Sequence, residues 1–372
     1  MHVRSANKQK CKRKINMGLN FGTKIAKIQK TVTPKCTDAD LVESIASVAA
    51  AAEALYEAQA DGTEICTVLD NLELVSQALA HGGITKQVLD AFNSEGELAE
   101  AAGVESLDAA ALESIGEAEV AKLTATVTAG LEGRFAEYWA KFVAWLKNIW
   151  TKLVDWFKSL LTNQARHVNA LKALSQSLSK DAFNSKAMSQ VHSAKEITDA
   201  LTGAEAIIKE ISSAATKFKN SGDITKTAGE TGGRNWFRKL INVGTLEKFS
   251  TMVENFNNAK VESKEIGSNG FGSVKDVQDA INKYISVASN TAWATATKDY
   301  TDGLSVFIKE AEAAAKLEGE AAASAKAASS AKREAVTEML KYIREVAKTV
   351  QKCGGDLVKV AKVAGSKAAA EK

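Results

Sequence analysis

A single proline in 372 residues, Pro34, is what most limits the folds open to this chain. Proline in a helix interior removes a hydrogen bond and clashes with the preceding turn, and nothing of that kind interrupts residues 35–372. Alanine, lysine and glutamate, all strong helix formers, are abundant. The expectation is an all-α protein, an elongated multi-helix bundle that closes on a long Ala-rich C-terminal helix. With 45% hydrophobic residues the chain can bury a core, and its length allows two or more domains.

Breakers and hydrophobic periodicity place helices at about 38–60, 64–81, 84–92 and 106–129, separated by Asp61-Gly62, Gly82-Gly83 and Ser94-Glu95-Gly96. Further helices are expected at about 133–180, 186–219, 236–262, 274–298 and 300–352. A glycine-rich break occupies 220–235, GSNGFGS at 267–273 reads as a loop that follows a helix, and Cys353-Gly354-Gly355 ends the last long helix.

Net charge is +3, but it is distributed in blocks. Residues 1–36 hold ten Lys and Arg and no Asp or Glu, a charge of +10. Residues 37–132 hold nineteen Asp and Glu against Lys86 and Lys122, a charge of −17. Residues 133–372 carry 36 basic and 26 acidic side chains, +10 again. The chain divides into a basic N-terminal arm, an acidic helical segment and a basic helical body. Such asymmetry bears on association and solubility, and it suits sequential partners or a detachable segment. Within the arm, Met17 opens MGLNFGTKIAKIQK, the pattern of a short amphipathic targeting helix, and residues 1–16 read as an upstream extension.

Immediately after the acidic block comes GRFAEYWAKFVAWLKNIWTKLVDWFKSLL, residues 133–161, with four of the six tryptophans. Phe135, Trp139, Phe142, Leu146, Ile149, Leu153, Trp156 and Leu160 recur at steps of three and four, with Trp145 at the edge of this face and Trp150 beside it. Seven charged residues, Arg134 and Lys158 among them, exclude a simple membrane span, which needs about 20 largely uncharged residues. Three readings stand: a core helix, an interfacial membrane helix with Trp and Lys on opposing faces, or a partner-binding helix.

Sites for catalysis are not indicated. His2, His81, His167 and His192 are isolated from one another, with no HExxH and no carboxylate at ligand spacing. GSNGFGS lacks the GxGxxG spacing of a phosphate loop, and no Walker loop or GxSxG elbow is present. Cys11, Cys36, Cys66 and Cys353 form no CxxC pair, so neither a zinc site nor a disulfide framework is indicated, and a reduced intracellular setting is expected. No signal peptide follows the basic N-terminus. A non-enzyme without metal or cofactor is expected.

The acidic block ends in Gly130-Leu131-Glu132 followed by Gly133, where the sign of the charge changes. Similar triplets end at Glu43, Glu105, Glu113 and Glu117. In this organisation, from about residue 37 to the C-terminus, the chain resembles internal head (prohead core) proteins of large tailed bacteriophages, particularly the jumbo class. Those proteins are made as precursors with acidic propeptides, and a prohead protease cuts after a glutamate that has a small or aliphatic residue two places before it. The resemblance implies cleavage between Glu132 and Gly133 and secondary cuts at the other four glutamates. It also implies packaging with non-specific double-stranded DNA, contact with capsid or core proteins, self-association, and ejection with the DNA. The location implied is the host cytoplasm during assembly and then the virion head interior. A rival reading is a membrane-active helical protein whose acidic block is an inhibitory pro-segment; a third is a plain scaffolding protein.

Overall fold

A computed structural model of the chain describes residues 38–82, 84–85, 117–178, 188–220, 232–316 and 319–365. Three long helices frame it: α1 (Asp38–Gly82), α2 (Glu117–Ser175) and α8 (Gly319–Gly365). At 1.5 Å per residue the 59 residues of α2 span about 88 Å, which makes the bundle elongated. Between α2 and α8 lie β1 (Met188–Gln190), α3 (Ala194–Lys219), α4 (Gly233–Leu240), α5 (Val243–Asn258), β2 (Ser263–Glu265), α6 (Val274–Ala288) and α7 (Thr291–Ala314). The fold is all-α apart from β1 and β2, which pair antiparallel with Met188 opposite Glu265.

Two expected helix breaks are absent, for the same physical reason. Asp61-Gly62 lies inside α1, which runs unbroken over 45 residues. Gly62 is buried, and a Cβ at that position would fall inside the indole of Trp145 on α2. The glycine is therefore a notch in a helix face. Gly354 does the same inside α8, where a Cβ would stand 2.6 Å from the hydroxyl of the fully buried Tyr284. Packing outweighs the ~1 kcal/mol that glycine costs a helix interior relative to alanine.

Elsewhere the chain breaks where continuous helix was expected. The 236–262 segment divides at Ile241-Asn242, and the Asn242 side chain accepts from the Thr245 amide to start α5. The 274–298 segment divides at Ser289-Asn290, and Asn290 caps α7 through the Ala292 amide at 2.8 Å. The 300–352 segment divides after Ala314, and α8 then continues to Gly365. Residues 188–190 form β1, so the 186–219 helix begins only at Ala194, behind a capping box formed by Ser193 and Glu196. GSNGFGS is a loop as expected, but it follows β2 and not a helix. Its Asn269 donates to the Val191 carbonyl at 2.9 Å and its main-chain carbonyl accepts from the Ala194 amide, so the loop fixes the entry to α3. Of the expected helix at 84–92, Ile84 and Thr85 are described and are not helical; residues 86–92, Gly83, Ser94-Glu95-Gly96 and 106–116 lie outside the described residues, whereas 117–129 is the start of α2.

α3 is the centre of the main core. Ile197, Leu201, Ala204, Ile207, Ile208, Ile211 and Phe218 recur at three- and four-residue steps and are all buried. Leu340, Ile343 and Val350 of α8 and Trp139, Phe142 and Trp156 of α2 belong to the same cluster.

A histidine–aspartate contact is buried in this core. His192 and Asp356 are 2% and 6% exposed, and His192 Nδ1 lies 2.5 Å from Asp356 Oδ2. His192 Nε2 is 2.9 Å from the Phe256 carbonyl, and its ring stacks on Phe256 at 4.1 Å. The ring therefore ties the segment after β1 to α8 and α5. Asp356→Ala leaves a buried ring nitrogen without its partner and should cost about 1–3 kcal/mol in urea denaturation. Gly62→Ala should lower stability by ~1–3 kcal/mol through overpacking against Trp145. In a Trp145→Ala background the same change should become neutral or stabilising; a destabilisation of equal size in both backgrounds would refute the notch.

Candidate functional site

The candidate processing site and the aromatic face share one element, α2, and α1 lies against both. Asp40 meets Arg166, Ser44 meets Asn163, Ser47 meets Ser159, and Ala58 meets Trp145. One residue number rises as the other falls, so α1 and α2 are antiparallel. The apolar side of α1, Leu41, Val48, Leu55, Ala58 and Leu69, enters the main core. Its solvent side presents Glu43, Glu53, Glu57, Asp61 and Glu64. These five carboxylates therefore sit on an outward face, while the helix that carries them completes the main core.

The aromatic face of α2 is a packing surface. Trp139, Phe142 and Trp156 are buried, while Phe135, Trp145 and Trp150 are half-buried. Phe135 stacks on Trp139 at 5.7 Å and Phe142 on Trp145 at 5.7 Å. Three indole N–H groups donate to main-chain carbonyls of neighbouring helices: Trp139 to Ala311 at 2.9 Å, Trp150 to Thr301 at 3.2 Å, and Trp145 to Ala58 at 2.6 Å. A buried indole needs such a partner. Of the three readings of this helix, the structure shows the core helix. The face that an interfacial helix would offer a bilayer is occupied, and among the described residues no helix is long and apolar enough to cross a membrane.

The charge boundary falls inside α2. Gly130 through Gly133 are continuous helix, so the expected interruption between 129 and 133 does not occur. Glu132 and Gly133 are exposed, and a Cβ on Gly133 would meet nothing within 4 Å. Leu131 faces the other way and is 4% exposed. With Leu72, Val75, Leu79, Ile84 and Val127 it forms a second, smaller core at this end of the hairpin. Of the secondary candidates, Glu43 is exposed on α1 and Glu117 opens α2, while Glu105 and Glu113 lie outside the described residues.

A polar seam joins α1 to α8. Arg333 grips Asp70 through two bonds of 2.6 and 2.9 Å. Arg344 stacks over the Tyr56 ring at 3.2 Å and donates to Gln59 Oε1 at 2.8 Å. Burial pushes the Arg344 pKa down to about 10. Burial likewise raises the pKa of Cys66, beside this seam, a rise that the neighbouring Arg333 partly offsets. Sequence reading missed the seam because its members are remote along the chain. Arg333 and Arg344 do recur on one side of α8, which was the only local signal.

Among the described residues no group of His, Cys, Asp and Glu could hold a metal ion. What the fold and this hairpin define is a helical structural protein, held together by large aromatic side chains and helix-to-helix contacts. Residues 37–280 match the family model of phiKZ-like phage internal head proteins, and the chain belongs to that family. No curated protein and no solved structure matches it. The family places the chain inside the phage head, in association with head components.

A protease needs extended backbone, so access to the Glu132–Gly133 bond requires this end of the hairpin to open. Leu131→Ala weakens the small core, and Leu-to-Ala changes in cores cost about 2–5 kcal/mol. Cutting of the full-length protein after Glu132 by a glutamate-specific protease should speed up tenfold or more, as read by fragment mass, because cleavage tracks the open population when reclosing is fast.

Proposed function

We propose that the chain is the precursor of an internal head protein, cut after Glu132 by the prohead protease, whose body at 133–372 then associates with packaged duplex DNA. The reading divides the chain into a basic arm at 1–36, an acidic propeptide at 37–132 and a basic body at 133–372. The observation that carries it is the coincidence at one bond: the charge changes sign there, and Glu132 and Gly133 face solvent. Membership of the internal head family supports the setting.

Each part of the proposal has a physical basis. A +10 body neutralises phosphates without reading sequence, whereas the −17 segment repels DNA. Losing residues 1–132 removes the acidic outward face of α1 from the basic body. A single cut at Glu132 severs the connection from α1 to α2 but leaves their contact intact, because Leu41 to Leu69 remain seated in the core. The further triplets ending at Glu43, Glu105, Glu113 and Glu117 would then trim the propeptide, but the piece 44–105 keeps Val48 to Leu69 of α1, so its release also requires that helix to unseat. Capsid or core proteins and other copies of the chain are the partners during assembly in the host cytoplasm. A body bound to DNA leaves the head with it.

N-terminal sequencing of the protein from purified heads should read Gly133-Arg134-Phe135; recovery of chains with residues 1–132 intact would overturn the proposal. The head-derived protein should bind duplex DNA of unrelated sequences equally, and its affinity should fall by about a thousandfold or more between ~50 and ~200 mM salt. The full-length precursor should bind more weakly, and equal binding by the two forms would remove the masking role of the acidic segment.

A further inference from the structure

The seam between α1 and α8 opens into a cleft of about 580 Å³. Tyr56, Gln59 and Asp70 of α1 form one wall. Arg333, Lys341 and Arg344 of α8 form the other, and Arg234 of α4 closes one end. Four cations thus face two carboxylates, Asp70 and Glu334.

These charges are unevenly matched. Asp70 is taken by Arg333. Glu334 accepts from the Arg234 amide at 3.2 Å. The Arg234 guanidinium shares the buried Glu338 with Arg238 at 3.7 and 3.6 Å, too far for hydrogen bonds. Arg344 stacks on and hydrogen-bonds to neutral groups, the Tyr56 ring and the Gln59 amide oxygen, while Glu345 acts on it only through its charge. A guanidinium carries five donors in a planar fork that matches an oxyanion bidentately, and here Tyr56 holds that fork flat. Burial lowers its pKa, and the neighbouring Glu345 offsets that only in part. Lys341 is exposed one helical turn away, its ammonium 5.6 Å from the Tyr342 ring centre, and it lines the same cleft.

We propose that this cleft binds a phosphate-class oxyanion, with Arg344 as the bidentate ligand and Lys341 and Arg234 as supporting charges. A phosphate group suits it better than a carboxylate, because its higher charge and tetrahedral oxygens can meet several converging cations at once. The site belongs to the full-length chain, since α1 supplies Tyr56 and Gln59, and it stands apart from any cut at Glu132. Occupancy ties α1 to α8, and loss of α1 dismantles the site. The phosphate can come from a nucleic-acid backbone or from free phosphate in solution.

The test is calorimetric titration of the full-length protein with inorganic pyrophosphate at low salt, repeated after addition of a short mixed-sequence DNA duplex. Wild-type protein should show saturable binding. Arg344→Gln should weaken it about tenfold or more, and Lys341→Gln, an exposed change that leaves the packing alone, should weaken it several-fold. Lys195→Gln, an equal charge loss on α3, should have no effect. Displacement of pyrophosphate by the duplex identifies the backbone phosphodiester as the ligand; its absence identifies free phosphate. No saturable binding by the wild type, or binding that both Arg344→Gln and Lys341→Gln retain unchanged, overturns the proposal.

Discussion

The structure depends on how the tryptophans of α2 are seated. Each indole is too large to leave in water, since burying one removes about 150–250 Å² of surface, and each N–H needs an acceptor once buried. Trp139 and Trp150 find theirs on α7, and Trp145 finds its own on α1. One helix thus holds the later helices on one side and the acidic helix on the other. Remove α1 and Trp145 loses both its acceptor and its notch.

That arrangement separates two properties which the sequence places in the same residues. The acidic segment is electrostatically opposite to the body, yet it is not a solvated appendage. Glu43, Glu53, Glu57, Asp61 and Glu64 lie on the outward side of α1, and the apolar side of that helix is continuous with the main core. Charge determines what the outer surface attracts, and packing determines whether α1 can leave. The two act at different strengths: exposed ion pairs contribute ~1 kcal/mol or less each, whereas the apolar face of α1 carries several fully buried side chains worth roughly 1.5–3 kcal/mol apiece.

Much of this was legible in the sequence, and the exceptions have physical causes. The three- and four-residue spacing of Phe135 to Leu160 marked an amphipathic helix, because periodicity reports one continuous buried face. The stripes at Ile207 to Phe218 and at Leu340 to Val350 were visible for the same reason. Glycine misled at Gly62 and Gly354, where missing side chains admit Trp145 and Tyr284 rather than bend the backbone. The breaks at Asn242 and Asn290 were missed because an asparagine cap satisfies amides without proline or glycine nearby. His192 with Asp356, and Arg344 with Tyr56, are joined only by tertiary structure. The family was legible from the order of charged blocks, whereas the cleft was not, since its walls come from helices far apart in the chain.

The notch at Gly62 has a consequence for motion along the helix axis. The first half of α1, SIASVAAAAEALYEAQA, is rich in alanine, but the side it buries is stepped by Val48 and Leu55 and pinned by Ser44. Such a surface fits its groove in one register. The indole seated where one Cβ is missing adds to that register, because at a neighbouring position it would meet a side chain. The acidic helix therefore has no series of intermediate stops along its groove: it is either fully engaged or disengaged, and whatever ends the contact does so in one step.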